Sequence, residues 1–320
     1  MKQRILTGAM IAIVVVAAFL LRSVNITIFD TFIAIAIVFS VGEVSRVFNR
    51  SGKVNHMELA IVFAVSVYLS IIWGINASFG VGAYILMELA LLALFFTISF
   101  FLTYVQKKQV KNSAHFKQSG QALYEYALKK ALRTLFVMVY PTLLLSFLYF
   151  INHIEELPFN LIETAYNGAG ASPNLGFMLL ALTFLATMAA DTFAYFVGSF
   201  VGGPKLAPLI SPKKTVSGAI GGVIGSVLVA TVLFFILNAN TSWNVALFQA
   251  EVSVWHFVVY GLIASVISQM GDLFASIVKR RARAKDFSSI FPGHGGFMDR
   301  LDGVSFNAVF TFVYVILFFV

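Results

Sequence analysis

The chain has 320 residues, of which 59% are apolar and only 11% charged, and its mean hydropathy is +0.90. Soluble domains carry about 25% charged residues, so this composition excludes a soluble enzyme and requires a polytopic membrane protein. Cysteine is absent, which rules out disulfides and thiolate metal sites, and the net charge of +8 sits in short loops suited to anionic headgroups and phosphates rather than nucleic acid.

Runs of roughly 17–25 apolar residues mark membrane spans. Nine are predicted in chain order, at residues 5–21, 26–42, 57–74, 79–105, 134–151, 175–201, 217–238, 253–275 and 303–320. Met1-Lys2-Gln3-Arg4 ahead of the first run imitates a signal peptide, but the run is of full span length and no small-residue cleavage site follows, so it reads as an uncleaved helix. Between the fourth and fifth runs, Leu123, Ala127, Leu128, Ala131 and Leu132 recur at helical spacing among Lys129, Lys130 and Arg133. That pattern predicts a helix on the membrane surface within 106–133.

Lys and Arg near span ends stay on the cytoplasmic side. Lys2 and Arg4 precede the first span, and Arg46, Arg50 and Lys53 follow the second. Seven basic residues from Lys107 to Arg133 follow the fourth, Lys205, Lys213 and Lys214 the sixth, and six from Lys279 to Arg300 the eighth. The other loops hold Arg22 with Glu155, Glu156, Glu163 and Glu251, so 21 of the 22 basic residues fall on one side. The expectation is an all-α protein of about nine spans, N-terminus cytoplasmic and C-terminus outside. Residues 1–150 form five spans, and 151–320 form four carrying a charged segment at 272–303.

A carboxylate in the bilayer core costs about 2.5–3.5 kcal/mol on insertion scales, so an intramembrane Asp points to function. Asp191 and Asp272 lie toward the cytoplasmic ends of the sixth and eighth spans. Helix positions three, four and seven apart share a face. Asp272, Ser276 and Lys279 therefore line one stripe, Asp191 and Tyr195 a second, and Asp299 and Asp302 a third. Carboxylates brought together in a low dielectric repel, and a hard cation with oxygen ligands keeps both ionised. Without thiols, Mg2+ suits such a site better than a softer metal. Pro292-Gly293-His294-Gly295-Gly296 lets backbone N–H groups approach an anion closely. Ser211-Pro212-Lys213-Lys214-Thr215, with Gly218, Gly221 and Gly222 opening the seventh span, offers a charge, a hydroxyl and helix N-terminal donors to a phosphate. The plainer alternatives are salt bridges between Asp272, Asp286, Asp299 and Asp302 and their basic neighbours, and an ordinary helix cap. Asp30 and Glu88 read as structural.

Ser276-x-x-Lys279-Arg280-x4-Lys285-Asp286, followed by Pro292-x-His294-Gly295-Gly296-x-x-Asp299-Arg300-x-Asp302, resembles the signature of phosphatidate cytidylyltransferases, the CDP-diacylglycerol synthases. Asp191-x3-Tyr195-x2-Gly198 and Ser211-Pro212-x-Lys214-Thr215-x2-Gly218 are similar to the same family, so the resemblance runs over residues 185–303. It implies an all-helical fold with its site at the cytoplasmic mouth, in a bacterial inner membrane. The implied reaction joins CTP and phosphatidic acid to give CDP-diacylglycerol and pyrophosphate, with Mg2+ required. By position, Asp272 and Asp299 would hold the metal, and Lys214, Lys279, Arg280 and Arg300 would contact phosphates. Ser276, Asp286 and His294 would line the same site, and Asp191, Tyr195, Ser211, Thr215, Lys285, Gly295, Gly296 and Asp302 would bind substrate. Ala275 and Ser217 replace acidic residues common in the family pattern, which admits a divergent paralogue acting on another lipid phosphate. The rival readings are a CTP-dependent polyprenol or phytol kinase and an ion-coupled transporter. The sequence leaves open whether a monovalent ion joins Mg2+ and whether the chain forms a homodimer.

Overall fold

The computed structural model describes residues 2–77, 79–119, 122–157, 175–239, 246–247, 250–251 and 253–319; Glu163 lies outside them. Helices α1 (Lys2–Arg22), α2 (Ile26–Arg50), α3 (Met57–Asn76) and α4 (Val81–Val105) come first, then the short α5 (Lys107–Asn112) and α6 (Ala114–Ser119). Helix α7 (Leu123–Val137) passes through a π-helical turn, Met138–Leu143, into α8 (Leu144–Asn152). The second half comprises α9 (Leu175–Phe200), a hairpin of β1 (Lys205–Ala207) and β2 (Ser211–Thr215), and α10 (Val216–Ala239). The two-residue strands β3 (Ala246–Leu247) and β4 (Ala250–Glu251) then precede α11 (Val254–Arg281) and α12 (Met298–Phe319).

The chain is an all-α polytopic membrane protein. Among the described residues eight helices are long and apolar enough to cross a bilayer, while the apolar stretch of α1, Leu6–Arg22, is shorter. Several helices overrun their apolar runs. Helix α2 continues to Arg50, α11 to Arg281, and α12 begins at Met298. Hydropathy marks only the greasy slab, whereas the backbone ladder continues into the polar rim. There Arg50 on α2 and Lys279, Arg280 and Arg281 on α11 meet the negative ends of their helix dipoles. The segment predicted as a surface helix and the fifth predicted span are one rod, Leu123–Asn152. Pro141 lies inside it, and the rod absorbs the missing amide proton by widening locally to the π form.

Packing in the second half relies on small residues. A Cβ on Gly218 or Gly222 of α10 would stand 2.7 or 2.9 Å from the carbonyl oxygens of Ala194 or Ala190 on α9, so these backbones touch. Gly271 of α11 lies against the carbonyl of Asp302, and Gly303 of α12 against Ser268. These contacts draw α9, α10, α11 and α12 together at the end that carries the charged residues. Helix α12 also packs on α8 and α2, which joins the two halves of the chain.

A second polar network joins α1, α2 and the end of α8. Arg22 donates to the Asn152 side chain at 2.6 Å, Asn152 Nδ2 to Asp30 Oδ1 at 2.8 Å, and His153 Nε2 lies 2.8 Å from Asp30 Oδ2. Asp30 is fully buried here. Glu88 accepts a hydrogen bond from Ser70 at 2.7 Å.

Candidate active site

Four elements converge on one rim: the last turns of α11, the first turn of α12, the end of α9, and β2. Lys214 Nζ stands 2.5 Å from Asp272 Oδ2, with side chains 25% and 31% exposed. Lys279 Nζ stands 2.8 Å from Asp299 Oδ1, with side chains 11% and 3% exposed. The first pair is therefore reachable from outside and the second is sheltered. Asp302, buried and accepting from Gly303 N at 2.8 Å, lies within electrostatic reach of Asp272, Lys279 and Asp191. Asp191 feels Asp272, Lys214 and Arg300. The predicted stripes on α9, α11 and α12 thus meet, with Ser276 buried one turn from Asp272.

Amides around the glycine-rich loop already meet anions of the protein itself. Gly293 and Gly295 have φ of +79° and +82°, closing a tight turn in which Phe291 and Gly295 pair. Amide donors on either side of this turn go to the protein's own carboxylates, while His294 N within it donates to the carbonyl of Phe291. Phe287 N and Gly296 N donate to Asp299 Oδ2 at 2.8 and 2.9 Å, fixing the carboxylate so that Oδ1 faces Lys279. Phe297 N and Met298 N donate to the two oxygens of Glu43 at 2.9 Å each, and Ser288 Oγ donates to the same carboxylate at 2.6 Å. Glu43 comes from α2, is fully buried, and supplies from another helix the anionic cap that the start of α12 needs. A side chain at Gly296 would collide with it. Sequence reasoning missed Glu43. Its only sequence signal is an acidic residue directly after an apolar run, in the half of the chain without a motif.

Tyr140 was also missed. The π turn sets it in the core, 2% exposed, within reach of the charges of Asp302, Asp272 and Asp299, and its buried hydroxyl has no hydrogen-bond partner among the described residues.

Other predicted residues stand apart or have structural tasks. Thr215 Oγ1 accepts from Gly218 N at 3.1 Å, so a donor at the start of α10 expected to be free for phosphate is capped. The segment Ser211–Thr215 is a strand, with Ser211 opposite Ala207, rather than a helix start. Arg280 donates to the carbonyls of Ile210 and Ala284 at 3.4 and 3.3 Å, tying the hairpin to the end of α11. Tyr195 is 70% exposed and packs on Phe196. Lys285 and Asp286 are exposed and form no ion pair among the described residues. His294 lies against Gly8 of α1, and its buried Nδ1 has no hydrogen-bond partner among the described residues.

Among the described residues, no three His, Asp or Glu side chains gather as a metal cage. Mg2+ does not need one, since it commonly binds one or two carboxylates and completes its shell with water and substrate phosphate. Asp272 and Asp299 each hold an ammonium group, and the backbone donors on Asp299 Oδ2 orient it as supporting bonds orient metal ligands. The donor set fits a hard cation.

A family model described as the cytidylyltransferase family matches residues 2–318. The chain belongs to this family. It is 38% identical over 143 residues to a phosphatidate cytidylyltransferase of Brucella abortus, an alignment covering 45% of this chain and 48% of that protein. A phosphatidate cytidylyltransferase of Staphylococcus haemolyticus is 29% identical over 156 residues, covering 47% of this chain and 56% of the relative. Phosphatidate cytidylyltransferase 3 of Arabidopsis thaliana is 46% identical over 61 residues, 19% of this chain and 13% of the relative. In the bacterial alignments the chain spans about half the length of the relatives it matches.

Proposed function

We propose that this cytidylyltransferase-family chain transfers the cytidylyl group of CTP to phosphatidic acid, yielding CDP-diacylglycerol and pyrophosphate. It acts at the cytoplasmic rim of a bacterial inner membrane. The observation that carries the reading is the double pair Lys214–Asp272 and Lys279–Asp299 on one rim, formed by residues within the stretch 185–303 that resembles the family.

The chemistry brings an anionic nucleophile to an anionic target. An oxygen of the phosphatidate monoester forms a bond to the α-phosphorus of CTP, the bond from that phosphorus to the β-bridging oxygen breaks, and pyrophosphate leaves with the electron pair. A phosphate monoester is already ionised near neutral pH, so no strong base is required and no covalent enzyme intermediate is formed. Catalysis is positioning plus electrostatic stabilisation. Lys214 and Lys279 exchange their carboxylate partners for phosphate oxygens, and Arg300, exposed beside them, takes a further phosphate. Mg2+ would be held by Asp272 and Asp299 and would supply positive charge against phosphate oxygens. Glu43 keeps the loop that carries Asp299 in register while this exchange occurs.

The test uses membranes containing the chain, CTP labelled in the cytidine, and phosphatidic acid added or omitted, with and without chelator. Cytidine label entering lipid only when phosphatidic acid and free divalent cation are present supports the reading. Label entering lipid from the γ-phosphate instead would move the assignment to a lipid kinase.

A further inference from the structure

On the face of α11 opposite Asp272, Ser276 and Lys279 lies a cavity of about 300 Å3, at the lower edge of the roughly 300–1,000 Å3 that small-molecule sites occupy. The opposition follows from helical periodicity. Phe274, Ile277 and Arg281 fall on the far side of the helix from the 272, 276 and 279 stripe. The floor is aromatic: Phe48 of α2 lies 5.7 Å from Phe136 of α7 between ring centroids, and Phe136 lies 6.4 Å from Phe274. Three cations, Lys53, Arg133 and Arg281, edge it.

No carboxylate stands within ion-pair distance of these three cations among the described residues. Lys53 Nζ donates to the carbonyl of Arg281 at the end of α11, which holds it in place. Burial first, then Arg133, Arg281 and Arg283, push the Lys53 ammonium below its ordinary value. Like charges gathered over an apolar floor repel unless an anion sits among them, and Leu132, 48% exposed, leaves the mouth greasy. A small soluble anion would satisfy the cations and leave the rings uncovered. An amphiphile satisfies both.

We propose that this groove holds one anionic phospholipid of the surrounding membrane, its phosphate among Lys53, Arg133 and Arg281 and an acyl chain along Phe48, Phe136 and Phe274. The occupant is not the reacting lipid, because α11 stands between its phosphate and the Asp272 rim. Its presence is nevertheless felt there. Phe274 packs on Tyr140 at 4.9 Å and on Phe306 at 5.6 Å, and Tyr140 is the buried phenol within reach of the three rim carboxylates. This proposal goes beyond the assigned reaction and is tested without CTP.

The experiment incorporates the full chain into phosphatidylcholine nanodiscs carrying a minor fraction of phosphatidylglycerol or, in a parallel arm, of phosphatidic acid, and native mass spectrometry counts retained lipid after release. Wild type should retain one phosphatidylglycerol. A triple variant, Lys53→Gln with Arg133→Gln and Arg281→Gln, should lose it at least ten-fold. Leu132→Trp, which fills the mouth and keeps every charge, should lose it as well, and size-exclusion profiles check the fold of both. Phosphatidylglycerol held by both variants as by wild type, or phosphatidylcholine retained equally well, overturns the proposal. Phosphatidic acid retained while phosphatidylglycerol is not also overturns it, since the groove would then be a substrate entrance.

Discussion

Glu43 illustrates how a single carboxylate from a helix without motifs governs the signature loop. It accepts from Ser288, Phe297 and Met298, and Asp299, one residue further on, is the carboxylate that pairs with Lys279 and that we propose as a Mg2+ ligand. Removing the acceptor leaves the buried Met298 amide and the part-buried Phe297 amide unpaired and frees the loop to drift. Glu43→Ala should lower kcat by about 10–100-fold, the range typical of residues that orient metal ligands. The CTP KM should change far less, and Glu43→Gln, which keeps an acceptor in place, should recover part of the loss. Equal losses for Ala and Gln, tracking a loss of folded protein on size-exclusion, would reduce Glu43 to a packing element. Motif spacing finds residues near one another in sequence, and Glu43 is 254 positions from Phe297. That distance, not any weakness of its chemistry, hid it.

His153 offers a residue-scale prediction at a distance from the rim. Burial pushes its imidazolium toward neutrality, but the hydrogen bonds and charges of Asp30 and Glu156 outweigh burial and hold His153 above its ordinary value. A group raised in this way stabilises the fold fully below its unfolded value of about 6.5 and loses that contribution as pH climbs through the raised folded value. The melting midpoint in detergent should therefore fall as pH rises through that window. His153→Gln should remove this part of the slope. A midpoint that rises with pH over the same window in wild type and variant alike would contradict it.

At the scale of elements, apolar runs located the helices and misjudged their ends. The second run ends at 42, yet α2 continues to Arg50 because its next turns bury Glu43, Val44, Ser45 and Val47 against neighbours. Alternating burial by polar and apolar residues is poorly visible to a hydropathy window. The fifth span was expected to start at 134, but the rod begins at Leu123, since Tyr126, Ala127 and Ala131 are buried while Lys129 and Arg133 face outward or snorkel. The glycines of α10 were noted for phosphate binding; their packing task emerges only when α9 is laid beside them. Gly222→Leu should destabilise by about 1–3 kcal/mol, because the Ala190 carbonyl 2.9 Å from its Cβ cannot move aside. Gly82→Ala on α4 meets nothing within 4 Å and should instead stabilise slightly. Thermal midpoints of the two variants moving in the same direction would refute this account of the interface.

For the whole molecule, composition sufficed to announce a bundle of membrane helices, because 11% charge leaves no other solvent for so much apolar surface. The convergence of Asp191, Asp272, Asp299 and Asp302 was legible as stripes on separate helices. Their mutual approach depends on Gly271 and Gly303, whose missing side chains allow α11 and α12 to close. The assignment of the backbone donors was not legible, since a glycine-rich turn looks the same whether its amides greet a ligand or the protein itself.

The carboxylate that α2 extends across to the start of α12 has a consequence for how such a protein divides its labour. The early helices carry none of the recognisable chemistry, yet the reactive loop has no fixed posture without them. Their lipid-facing surfaces do not reach the loop, whereas the one acid pointing inward does. A chain reduced to its signature would keep the amides of Phe297 and Met298 and lose the acid that fastens them.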